Sequence, residues 1–202
     1  MLETPPTLRL PRPDEVPNND QEEVFERLKQ RETANIVEGY KFRYNTEQDL
    51  PFKFFAEINI NNSRLWGLFV ELAHQLPDEV CCIYGEYDEE PNYSSYADRA
   101  HVLNVLSNYQ VELAQDCFIE FGLIYHTEEK LEEIFVKEAK HLQVWGTNEA
   151  GFRQLMARFQ LDEIPDLNFV DEFPKVVEAL EEFVPDARPP YQVIEELENM
   201  LP

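Results

Sequence analysis

The chain has 202 residues, of which 43% are hydrophobic and 12% aromatic, and a formal net charge of −24 with a pI near 4.4. That is enough apolar matter for one sizeable core and too little chain for two full domains. The charge excludes nucleic-acid phosphates and anionic lipid as partners and favours a basic one.

In chain order, residues 1–19 carry Pro5, Pro6, Pro11, Pro13 and Pro17, with only Leu8, Leu10 and Val16 as apolar anchors. They predict an extended N-terminal arm ahead of a single domain over residues 20–202. Asn18, Asn19 and Asp20 offer N-caps for a charged helix from Gln21 to about Glu32, with Val24, Phe25 and Leu28 as its apolar face. Val37 to Tyr44 and Phe52 to Ile60 read as strands. In the second, Phe52, Phe54, Ala56, Ile58 and Ile60 alternate with Lys53, Phe55, Glu57 and Asn59. Asn61-Asn62-Ser63 opens a helix to about Gln75 that Pro77 ends, and Val80 to Tyr87 is a strand apolar on both faces. Asp98 caps a helix running to about Ala114.

The stretch from Asp116 to Trp145 predicts an antiparallel meander at the centre of a sheet, with Phe118, Phe121, Ile134 or Phe135, and Val144 in the core. Its middle, Glu128 to Lys140, also fits a helical spacing. Thr147 or Asn148 caps a helix to about Phe159. Residues 161–174 read as irregular, with 167–170 a candidate short strand. Pro174 allows a helix from Lys175, and a last helix runs from Tyr191 to Met200. The fold class is α+β: an antiparallel or mixed sheet packed with helices.

Chemistry is hard to find. The six glycines are isolated, so phosphate-cradling loops are absent, and so is a nucleophile elbow. Cys81, Cys82 and Cys117 lie in apolar runs and read as buried thiols, reduced in an intracellular protein. His74, His101, His126 and His141 lack metal-ligand spacing, and Asp88-Glu89-Glu90 lacks the alternation of a calcium loop. No catalytic, cofactor-binding or metal-binding residue is expected. The opening residues lack the basic and apolar regions of a secretory signal, and no run approaches the ~20 apolar residues of a membrane span. A soluble, cytoplasmic protein without membrane partners is expected.

The charge distribution says more. Between Lys53 and Lys130 the only arginines or lysines are Arg64 and Arg99, against acids that include Glu57, Glu71, Asp78, Glu79, Glu112, Asp116, Glu120, Glu128 and Glu129. Within that interval Tyr84, Glu86, Tyr87, Asp88, Glu89, Glu90, Tyr93 and Tyr96 mix acids with tyrosines. Tyrosine supplies contact area and a hydroxyl, and acids supply steering, so these residues are the candidate partner-binding set.

Four stretches, Ser63 to Leu68, Ile83 to Glu89, Asp116 to Gly122 and Leu167 to Pro174, resemble the small acidic immunity proteins that bacteria encode beside polymorphic or contact-dependent toxins. The resemblance covers about residues 55–180. It implies an acidic, cytoplasmic α+β protein that neutralises a basic toxin, such as a nuclease, by occlusion. The alternatives are a structural or adaptor protein whose acidity serves solubility, and a metal-assisted hydrolase built from scattered carboxylates.

Overall fold

The computed structural model describes residues 2–17, 19–46 and 50–202. In chain order its elements are β1 (Leu8–Arg9), α1 (Gln21–Glu32), β2 (Gly39–Tyr44), β3 (Phe54–Asn59), α2 (Asn62–Ala73), β4 (Glu79–Glu86), β5 (Asn92–Tyr93), β6 (Ala97–Asp98), α3 (Arg99–Ser107), α4 (Gln110–Gln115), β7 (Ile119–His126), β8 (Leu131–Val136), β9 (Leu142–Gly146), α5 (Glu149–Arg158), β10 (Val176–Val177) and α6 (Pro190–Met200). The main sheet runs β2-β3-β9-β8-β7-β4-β5, with β6 pairing the start of β4, and every strand pair in it is antiparallel. The fold is α+β. The three strands expected as a meander, β7, β8 and β9, lie in its middle; β-branched and aromatic residues win over the helical spacing around Leu131.

Alternation decides which side chains meet the helices. Phe54, Ala56 and Ile58 of β3, Cys82 and Tyr84 of β4, Phe121 and Leu123 of β7, Ile134 and Val136 of β8, and Leu142 and Val144 of β9 all join one buried cluster. Helices α2 to α6 close it through residues such as Leu65, Leu68, Phe69, Val102, Leu106, Leu113, Phe152, Leu155, Val193 and Leu197. Side-chain caps fix two helix starts: Asp98 accepts from the His101 N–H at 2.9 Å, and Asn148 from the Gly151 N–H at 3.0 Å. Arg99 binds the end of α2, donating to the carbonyls of His74, Leu76 and Pro77.

Several expectations are corrected. Phe118 precedes β7 and is exposed, because the phase that buries Ile119, Phe121 and Leu123 turns it outward. Helix α1 spans the expected residues, yet Phe25 is exposed and Val24 and Leu28 are only half-buried, since α1 lies outside the main core. Asn18, one of its candidate caps, lies outside the described residues. The helix expected from Asp98 to Ala114 breaks in two, where the Asn108 amide donates to the carbonyls of Asn104 and Val105. Residues 167–170 form no strand; Leu167 and Phe169 are buried as loop anchors. No helix starts at Lys175, because the β-branched pair Val176 and Val177 aligns antiparallel with Leu8 and Arg9.

That pairing ties down the arm. Pro5, Thr7, Leu8 and Val16 are buried. The Glu3 carbonyl accepts from the Asn62 N–H at 3.0 Å and its carboxylate from the Ser63 hydroxyl at 2.7 Å, so the arm caps the positive end of α2.

Candidate interaction surface

Helices cover one face of the sheet, and the registers assemble the other. One row crosses six strands: Arg43, Phe55, Trp145, Glu133, Ile124 and Cys81 are successive cross-strand partners. The next row runs Lys41, Glu57, Gln143, Phe135, Gly122, Ile83 and Tyr93. Residues 160–175 cover the sheet beyond these rows: the Asn168 carbonyl accepts from the Asn59 amide at 2.8 Å, and Phe169 packs on His141. Along the two rows Glu133, Phe135, Ile124 and Trp145 stay half-exposed, as does Leu131 two residues before Glu133, while Phe55, Cys81 and Ile83 are buried by their own neighbours. Ile134, Val136, Phe121 and Leu123 on the opposite face are all buried.

The face is aromatic and nearly uncharged at its centre. Phe55 and Trp145 lie 4.7 Å apart between ring centroids, and the Arg43 guanidinium stacks 4.3 Å above Phe55. Gln143 donates to Glu57 at 3.3 Å. Among the described residues the Glu133 carboxylate has no hydrogen-bond or ion-pair partner, and burial alone pushes its pKa up to about 7.

The β4–β5 hairpin borders this face. The Tyr87 N–H donates to the Phe118 carbonyl at 2.8 Å, and Asp88 turns the chain at φ 71°, a left-handed conformation that Asp tolerates. Pro91 returns so close over Gly85 that a Cβ there would lie 3.1 Å from its Cα. The candidate residues divide. Tyr87, Asp88, Glu89 and Glu90 are exposed at the tip, and Glu86 is half-buried. Tyr93, 61% exposed, pairs with Ile83 and so stands on the open face. Tyr96 is 47% exposed, but its hydroxyl donates to the His126 carbonyl and accepts from the His126 N–H at 2.9 Å, which holds the ring in place. Tyr84 is corrected: alternation sends it into the helix-covered core, 3% exposed, where it can touch no partner.

The negative surface is narrower than the sequence implied. Arg158 reaches Glu71, Arg188 reaches Glu112 and Lys137 reaches Glu120, all from outside the acidic interval. No ion pair among the described residues reaches Glu86, Asp88, Glu89 or Glu90, which form one close-set group on the hairpin; Glu79, Glu128 and Glu129 of the same interval are likewise without one.

A second polar group lies beneath the arm. The Lys140 ammonium is buried and donates to the Ile119 carbonyl at 2.7 Å, while Glu138 accepts from Lys175 at 3.0 Å. Burial holds Lys140 and His141 below their usual ranges and pushes Cys81, Cys82 and Cys117 up, so none of the thiols is an activated thiolate. No cluster of three or more His, Cys, Asp or Glu among the described residues is placed to hold a metal ion. No helix among them is long and apolar enough to cross a membrane.

Sequence reasoning missed Phe55, Trp145, Ile124 and Glu133. The signal was available: both phases of β3, β7 and β9 carry large apolar residues, as strands with two contact faces do. The comparisons add no relative: no family model, curated protein or solved structure matches the chain.

Proposed function

We propose that this chain is a binding and inhibitory protein of the immunity type, which occludes the cationic surface of a basic protein partner, such as a toxin nuclease, in the cytoplasm. The observation that carries this reading is the hairpin tip, where Tyr87, Asp88, Glu89 and Glu90 are exposed, without a compensating cation among the described residues, beside Tyr93 on a half-open aromatic sheet face. Uncompensated carboxylates steer a basic protein into encounter, and the tyrosines and the sheet face hold it by desolvated contact. Inhibition of this kind needs no catalytic group.

The test is kinetic. The tagged protein is used to isolate its partner from native host extract, and the purified pair is measured at low and high salt. Replacing Asp88, Glu89 and Glu90 together by their amides is expected to lower the association rate about tenfold at low salt, less at high salt. Tyr87→Ala or Tyr93→Ala is expected to raise the dissociation rate instead, by roughly 2 kcal/mol for a true anchor. Unchanged rates in both variant sets would remove this hairpin as the interface, and a partner whose activity survives complex formation would leave an adaptor.

A further inference from the structure

We propose that Glu133 is the receptor carboxylate for one cationic side chain, a guanidinium or ammonium, of the basic protein that this surface binds. The proposal rests on the reading above and adds to it the position on the sheet where the contact is made.

Three observations lead there. First, Glu133 occupies the middle of the row Phe55, Trp145, Glu133, Ile124, and its carboxylate is without a partner among the described residues. A carboxylate among apolar side chains has lost part of its water and received nothing in exchange, an arrangement that an incoming cation resolves. Second, the chain already fills the far end of this row with its own cation, the Arg43 guanidinium stacked on Phe55. Trp145, the next aromatic residue along, is half-exposed and carries no such cation among the described residues. It is the direct cross-strand partner of Glu133, so one guanidinium can lie on the indole and reach the carboxylate together. Third, the charge is complementary: the chain carries −24 overall, and the uncompensated hairpin borders the same face through Tyr93.

The other polar groups of this face are Arg43 and Lys41 on β2, Lys53 ahead of β3 on the same alternation, Glu57 bonded to Gln143, Lys137 paired with Glu120 at 2.6 Å and lying over the Phe135 ring, Cys81 donating to the Ser94 carbonyl at 3.0 Å, and His126 opposite Leu131. None of them shifts Glu133, whose pKa of about 7 has burial as its one cause. A cation must therefore displace a proton when it binds at or below neutral pH, so affinity rises as pH rises through about 7.

The probe is acetyl-Leu-Arg-Leu-amide, titrated into the full-length protein carrying Trp66→Phe, which leaves Trp145 as the only indole. Fluorescence is expected to report saturable binding that is about tenfold weaker near pH 5.5 than near pH 8. Glu133→Gln is expected to lose about tenfold at the higher pH and to show a flat profile, while His126→Gln keeps the slope. The same peptide with norleucine for arginine is expected not to bind. The site is overturned by any of three results: equal affinity for Glu133→Gln, equal affinity for the norleucine peptide, or no Trp145 response to the arginine peptide at ~10 mM, beyond the weak end of useful contacts. The hairpin amide variants are not needed for this titration. A failed titration beside hairpin-dependent partner kinetics removes the Glu133 site alone, and a successful titration without hairpin dependence removes the steering surface and keeps the receptor carboxylate.

Discussion

Glu132 turns into the helix-covered face, where the Lys130 ammonium stands 2.8 Å away and the Thr147 hydroxyl donates at 2.6 Å. Glu133 turns the other way, into the aromatic row, and has neither aid. Its folded pKa of about 7 exceeds the ordinary 4.5, so the folded state holds a proton that the unfolded chain releases. The stabilising contribution is fully present below about 4.5 and is lost as pH rises through about 7. Glu133→Gln is therefore expected to stabilise the fold by roughly 1–3 kcal/mol near pH 8 and by almost nothing near pH 4.5, read from urea unfolding at the two pH values. An equal effect at both would show that packing, not ionisation, sets the difference. A residue that lowers stability at working pH and repays it only on binding is what a contact site looks like. None of this could be seen from the adjacent pair of glutamates, because one residue of register decides which of them meets the helices. The same parity separates Tyr84, lost to the core, from Tyr93, left on the open face.

Elements were more legible than the parts that close them. Strands β3, β4, β7 and β9 and helices α2, α5 and α6 follow from alternation, helical spacing and local caps, all of which act within a few residues. The burial of helix α1 and the existence of strand β10 did not, because both depend on partners far away in the chain: α1, though it spans the expected residues, finds no core to enter, and Val176 and Val177 are drawn into a ladder by Leu8 and Arg9. Close packing within the open face was also hidden. Phe135 lies across Gly122, and a Cβ there would collide with the Ile134 carbonyl oxygen and sit 2.8 Å from the Phe135 ring. The carbonyl belongs to the central ladder and cannot yield. Gly122→Ala is therefore expected to cost about 2–4 kcal/mol, seen as a lower urea midpoint at unchanged slope. A neutral result would mean that β7 and β8 can separate locally, and the open face would then be less rigid than a preformed binding surface requires.

For the whole molecule, the acidity was plain in the composition, but its placement was not, because distant Arg158, Arg188 and Lys137 pair with Glu71, Glu112 and Glu120 while the close-set hairpin acids keep their charge among the described residues. The arm was equally ambiguous from its prolines, which suit either a free tail or an extended strap. The structure makes it a strap. Thr7 donates to the Gln115 carbonyl and accepts from the Cys117 N–H, its own carbonyl accepts from Glu178 at 2.8 Å, and Leu8 shares a small apolar cluster with Cys117, Ala139 and Val170. Cys117 is wholly buried there, whereas Cys81 and Cys82 belong to β4 in the main sheet, away from the arm. Deleting residues 2–17 is thus expected to expose one thiol of three. Titration with an aromatic disulfide reagent should find no rapidly reacting thiol in the full chain and one in the shortened chain, and Cys117→Ala should abolish that one. Three reacting thiols would show that the arm holds the entire fold together. None would place the arm outside the cover of Cys117. With one, the strap is a local clasp, and the sheet that presents Glu133 and the hairpin stands without it.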